Sequence, residues 1–216
     1  MQGRFEGVSV KEREIKQGAG RFRENRQRGF SLIETLIVVA IALVITGIAV
    51  VRSQPALQQN RAFAGAMQVK SAMRQARETA ISARRTVQVQ FFTGLPCYAG
   101  YACVQLTRLD PPANIPTVIL TLPIENSVQF MQFPGEIDTP DGFGNAAPIT
   151  FAGVANGPPA MEFQSDGSFT DGNGNVINGS VFLGVPNFVN TPTAITILGG
   201  TGRVRAWRLR GGSWIY

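Results

Sequence analysis

Residues 30–51 are predominantly apolar, and Glu34 is the only charged residue among them. A helix of that length rises about 33 Å, against a bilayer hydrocarbon core of about 30 Å, so the pattern predicts a membrane-spanning helix. Pro55 is expected to kink the chain just beyond that span. Residues 57–83 are rich in Ala, Gln and Arg with one glycine, Gly65, and predict a continuing helix. Phe63, Met67, Met73, Ala76 and Ala80 recur at near-helical spacing and are expected to bury one face against a following domain. Lys70, Arg74, Arg77 and Arg84 share a narrow arc on another face.

From residue 86 the pattern changes to short runs of Val, Ile, Phe and Thr between Gly, Pro, Asn and Asp turns. The runs predict strands over 86–92, 102–106, 117–122, 128–133, 159–163, 176–183, 194–198 and 203–209, with a long loop over 133–159. One helix followed by many strands, with no alternating strand–helix rhythm, predicts an α+β chain: antiparallel sheets packed on the second half of a long helix. The 131 residues from 86 to 216 are enough for their own core. The expected division is a leader over 1–29, a membrane span over 30–51, the soluble half of the helix over 52–85 and a β head over 86–216.

Charge bears on topology more than on partners. Residues 1–29 hold eight Lys and Arg against four acids, and residues 10–29 hold seven basic side chains against three in 52–71. The positive-inside rule keeps the leader cytoplasmic and sends the remainder outward. Losing that leader leaves +2 of the chain's formal +6, so a pI near 10 says little about nucleic acid. Residues 52–85 carry seven basic side chains and only Glu78. Such a stripe is ordinarily a solvated helix face, with lipid headgroups or acidic patches of neighbouring subunits as the sharper readings. Within the head, residues 86–171 hold eight acids against Arg108, whereas 172–216 hold four arginines and no acid. Cys97 and Cys103 are too few for a metal site; with outward topology they read as a short-loop disulfide, the alternative being two reduced thiols in neighbouring turns.

A secretory signal peptide places its small-residue cleavage site after the apolar region, but here the obvious junction, Gly29-Phe30, precedes it. A basic leader ending in Gly29, then Phe30, then Glu34 in an uncharged span resembles the class III signal of type IV prepilins and secretion pseudopilins. The resemblance implies cutting between Gly29 and Phe30 by a prepilin peptidase, methylation of the new Phe30 amine, and assembly with other pilins at the inner membrane, the head lying in the periplasm. It also implies that the Glu34 carboxylate meets the N-terminal amine of a neighbouring subunit, an attraction strengthened by low dielectric. The plainer alternative is a glutamate favoured by the helix dipole and reaching the headgroups.

Toward the C-terminus, Phe163-Gln164-Ser165-Asp166-Gly167-Ser168, an Asn/Gly turn, a strand through Val181 and Leu183, and Ile195-Thr196-Ile197-Leu198 leading into Gly202-Arg203-Val204-Arg205 resemble the GspH/FimT family of minor pilins and pseudopilins. That resemblance implies a pilin-like fold, a long helix carrying a β-sandwich-like head, and a place in the tip or priming complex of a type II secretion pseudopilus or a type IV pilus. In the FimT-like branch a Gly-Arg-x-Arg element is associated with DNA binding during uptake, and Gly202, Arg203 and Arg205 match it. Strand alternation puts Arg203, Arg205 and Trp207 on one face, with Arg208 and Arg210 just beyond, a set chemically competent for backbone contact and base stacking. The alternative is an edge strand whose arginines deter aggregation or pair with a neighbouring subunit.

Remaining motifs are weak. Asp171, Asn173 and Asn175 have the first spacings of a calcium loop, but Val176 and Phe182 stand where that loop needs Gly and a carboxylate, so a tight turn is expected and no metal. Residues 199–202 lack the Gly-Lys-Ser/Thr ending of a phosphate loop. With no histidine in the chain and no paired acids in a recognisable motif, neither catalysis nor a cofactor is expected. A minor pseudopilin of H type is the reading the sequence favours, a DNA-binding minor pilin the alternative.

Overall fold

The computed structural model describes residues 30–97, 101–125 and 127–216. Gly29 lies outside them. The chain divides into two compact units, Met1–Thr46 and Gly47–Tyr216. A single helix, α1 (Leu32–Ala83), runs through the boundary, and Pro55 sits inside it without ending it. Its first turn is closed by the Ser31 carbonyl, which accepts from the Glu34 and Thr35 amides at 2.9 and 3.1 Å. In the first unit every described residue is exposed.

The second unit is the head. Among the described residues twelve strands follow α1: β1 (Val87–Thr93), β2 (Ala102–Asp110), β3 (Ile115–Pro123), β4 (Gln129–Phe130), β5 (Ile149–Phe151), β6 (Val154–Ala155), β7 (Met161–Phe163), β8 (Phe169–Asp171), β9 (Gly179–Gly184), β10 (Thr193–Leu198), β11 (Arg203–Arg210) and β12 (Ser213–Ile215), with one turn of 3₁₀ helix at Gly199–Thr201 before β11. They form a five-stranded sheet, β3-β2-β1-β7-β8, and a second sheet ordered β12-β11-β10-β9-β5-β6, with β4 also paired to β9. All pairings are antiparallel. The α+β, pilin-like architecture expected from the sequence is therefore present.

The buried face of α1 holds Met73, Ala76 and Ala80 as expected but not Phe63 and Met67, which are 38% and 40% exposed; Ala62, Gly65, Ala66, Val69 and Ala72 complete it. Small side chains allow close approach. A β-carbon at Gly65 would stand 2.9 Å from methyls of both Ile124 and Val128, so glycine is the residue that admits them. The seam shares one buried core with Val87, Val89, Val104 and Leu106 of the first sheet and Val181, Ile195, Ile197 and Val204 of the second. The sheets meet each other through phenylalanines: Phe91 of β1 stacks on Phe151 of β5 at 6.2 Å, and Phe151 meets Phe169 of β8 at 5.5 Å.

The expected loop over 133–159 contains β5 and β6. Ile149, Thr150 and Phe151 are all buried and pair with Val181, Ser180 and Gly179 of β9. The pairing needs a glycine opposite, because a β-carbon at Gly179 would run into the Phe151 ring. Three residues are too few to show a period, which also hid β8 and β12. Conversely, the expected strand over 128–133 shrinks to β4, and the one over 176–183 starts only at Gly179. Cys97 and Cys103 are joined by a disulfide, their Cα atoms 6.3 Å apart, at the β1–β2 connection.

The rest of that loop folds back on itself over a second, smaller core of Phe182, Ala194, Trp207 and Trp214. Asp138 accepts from the Thr139 and Gly144 amides, Asn145 donates to the Glu136 carbonyl, and Trp214 donates to the Ile137 carbonyl. Glu136 is 8% exposed. One of its carboxylate oxygens accepts from the Phe133 amide at 2.8 Å, and the other has no partner. Burial pushes its pKa from 4.5 up to about 7 against the smaller opposing pull of the Phe133 bond. Between those values the folded chain keeps a proton that the unfolded chain has released, so stability falls as pH rises from about 4.5 to about 7 and then levels off. The full loss is on the order of 3 kcal/mol. Melting temperature followed from pH 5 to 8 is expected to decline in the native chain, and Glu136→Gln is expected to flatten that decline.

Candidate functional site

Two regions carry the chemistry marked out in the sequence. The first is the start of α1. Phe30 is 76% exposed, and from Leu32 through Val51 the large apolar side chains are more than half exposed. Such a surface calls for lipid or for other helices. Hydroxyls along it are already satisfied: Thr35 donates to the Leu32 carbonyl, Thr46 to Ala42 and Ser53 to Val50, as a low-dielectric surround requires. Glu34 is exposed in the first turn and has no basic partner, since the ion pairs among the described residues are Arg108–Asp110 and Arg205–Asp141.

The second region is β11. The chain enters it through Gly202, whose φ of +60° is left-handed and favours glycine. Space demands glycine as well: a β-carbon there would strike the Gly167 carbonyl and lie 2.8 Å from Arg77. Arg77, reaching across from α1, donates to that same carbonyl at 3.2 Å. Gly202 is therefore the point where helix, the 164–168 turn and β11 lock together.

Alternation along β11 works as expected for three side chains and separates a fourth. Val204 and Ala206 are buried toward α1, while Arg203, Arg205 and Trp207 lie on the opposite face. Arg208 belongs with Val204 and Ala206, not beside Arg205. It donates to Gln59 of α1 at 3.1 Å and lies 5.8 Å from the centre of the Phe63 ring, which explains what that exposed phenylalanine is for. Arg210 is exposed next to the Gly211-Gly212 turn.

The three residues on the outer face are not equivalent. Arg205 donates to Asp141 at 2.7 Å, and Trp207 donates its indole N–H to Thr196 at 2.9 Å and to the other oxygen of Asp141 at 3.2 Å. The Thr196 hydroxyl also donates to Asp141. The indole is 9% exposed, with the Arg205 guanidinium 5.8 Å from its ring centre and the Tyr216 ring 5.7 Å away edge-on. Of the three, only Arg203 stands free in solvent. Asp141 was not visible in the sequence, because one acid in a Pro-Asp-Gly turn carries no mark of a partner more than sixty residues away. Asp171, the first residue of the calcium-like spacing, accepts from the Asn173 and Asn175 amides and the Asn175 side chain, so its carboxylate serves its own turn.

Beside β11, α1 contributes Arg74 and Lys70. A groove of about 520 Å³ is lined by Arg74, Arg203, Val204, Arg205, Trp207 and Tyr216, and the Lys70 ammonium lies 5.3 Å from the centre of the Tyr216 ring. An adjoining groove, also about 520 Å³, shares Arg74, Arg203 and Val204 and extends to Arg77, Glu78 and Gly202. Arg74 and Arg77 of the basic arc of α1 and Arg203 and Arg205 of β11, separate in sequence, thus line two adjoining grooves. Replacing Gly202 by Ala leaves every charge of those grooves in place but adds both backbone strain and a clash. It is expected to lower the melting temperature by about 4 °C or more, a loss of about 2 kcal/mol, as scanning calorimetry would show.

Residues 25–50 match the family model described as the prokaryotic N-terminal methylation motif. No curated protein and no solved structure matches the chain significantly. The match covers the basic end of the leader, the Gly29-Phe30 junction, Glu34 and most of the apolar run, and it sits in front of a pilin-like α+β fold. The chain carries the signal of a type IV pilin or pseudopilin, processed by a prepilin peptidase and assembled with other pilins.

Proposed function

We propose that the protein is a minor pseudopilin of H type, acting in the tip or initiation complex of a type II secretion pseudopilus, and that it is a structural subunit with no catalytic role. The observation that carries this is a membrane-length exposed helix face and one carboxylate, Glu34, without an ion-pair partner among the described residues, four residues beyond the amine that cleavage would create. A carboxylate among lipid tails costs a few kcal/mol unless a cation meets it, and the methylated amine of Phe30 on an adjacent subunit is the cation the motif supplies. The basic leader supports a cytoplasmic start and a periplasmic head. The disulfide between Cys97 and Cys103 accords with an oxidising compartment.

The free guanidinium of Arg203 beside Arg74 supports a second reading, a FimT-like minor pilin that binds DNA for transformation. Burial of Trp207 and the pairing of Arg205 with Asp141 weigh against it, because they remove the stacking platform and one of the two phosphate forks.

Glu34→Ala is expected to leave membrane insertion and head folding intact and to abolish co-purification with the other filament subunits; normal co-assembly of the variant would defeat the proposed role. For the choice between filaments, duplex DNA titrated against the full chain in detergent is expected to bind weakly and equally with and without Arg203→Gln. Tight binding with a steep salt dependence that Arg203→Gln removes would select the uptake reading instead.

A further inference from the structure

The hydrogen bonds of β11 leave part of one edge unfilled. β10 pairs along Arg203–Arg208 of β11, but β12 pairs only with Arg208, Leu209 and Arg210. Backbone groups of successive residues point to opposite sides of a strand. Leu209 donates its amide to the Pro192 carbonyl, on the β10 side. The amides and carbonyls of Val204 and Ala206 therefore point the other way, where no strand of the described residues pairs with them. Both grooves beside β11 include Val204 in their walls.

Resting on the reading as a filament subunit, we infer that this edge takes an added β-strand from a neighbouring subunit, in which acidic residues alternate with apolar ones. Strand addition fits because unpaired backbone groups line a cleft with a helix for its far wall, which limits a guest to an extended chain. The alternation follows from cross-strand neighbours. A guest side chain beside Val204 or Ala206 faces α1 and the core, where an apolar group is stabilised; one beside Arg203 faces its free guanidinium, whereas Arg205 is already held by Asp141. Arg74 and Arg77 add positive charge from the helix wall, against Glu78 alone. Arginines commonly guard an exposed edge against pairing, but guards do not need a second element bringing charge to the same cleft. DNA fits less well, since it has no use for the Val204 and Ala206 amides.

The test uses the full chain in detergent and a labelled Val-Glu-Val-Glu-Val-Glu peptide, with Val-Lys-Val-Lys-Val-Lys and an alternately N-methylated Glu peptide as controls. The expected result is binding of the Glu peptide at about 0.15 M salt, at least tenfold weaker binding for each control, and slowed hydrogen exchange at the Val204 and Ala206 amides in the complex. Arg74→Gln combined with Arg203→Gln is expected to weaken the Glu peptide several-fold without altering the free protein's exchange pattern. No binding, equal binding of the N-methylated peptide, or binding without protection of those two amides would overturn the inference. So would duplex DNA that displaces the peptide and binds more tightly. None of these outcomes touches the Glu34 result, because peptide binding in detergent requires no filament.

Discussion

Burial of one face of α1 in the core that both sheets share is the contact on which the rest of the head depends. It is made by a seam of small residues, Ala62, Gly65, Ala66, Ala72, Ala76 and Ala80, with Val69 and Met73 between them. Small side chains bring few atoms of their own, so the stabilisation comes from the β-branched and aromatic residues of the sheets that they let in. Because both sheets rest on one helix, the seam also sets where Lys70, Arg74 and Arg77 stand relative to β11. The cleft is a by-product of that packing, and Gly202 and Gly167 are the glycines that let Arg77 close it.

The same helix answers two solvents. Up to Val51 its large side chains are apolar all round and uncovered; beyond Gln59 one face is buried and the other polar. A polar group tolerated in the second part is costly in the first, and for that reason the lone Glu34 has the weight of a functional group where an exposed Glu78 has none. In the head, charge is handled differently. Asp141 takes up one guanidinium and one indole N–H at once, so the acidic and basic regions distinguished along the chain are partly neutralised against each other.

Much of the fold is legible along the chain. Long runs such as those of β1, β2, β3, β10 and β11 can be read because each has room for two or more repeats of the inward–outward pattern. β5 and β6 cannot. β5 pairs with β9, some thirty residues away, and β6 pairs with β5 alone, while their sequence, Ile149 to Ala155, is short enough to pass for loop. The helix face is misleading for a related reason. Periodicity finds large apolar residues, and here they are Phe63 and Met67 on the flank, with Phe63 serving as a platform for Arg208.

What the amino-acid order alone established is everything governed by local chemistry: a membrane-length apolar helix, a junction at Gly29-Phe30 ahead of it, a single carboxylate within it, and a change to β-rich chain after residue 86. Those features depend on neighbours a few positions away. The pairing of Arg205 with Asp141, the turning of Arg208 toward α1, the steric need for Gly202 and the open edge at Val204 and Ala206 belong to the folded head only, because each depends on groups that are distant in the chain and adjacent only once helix and sheets have packed.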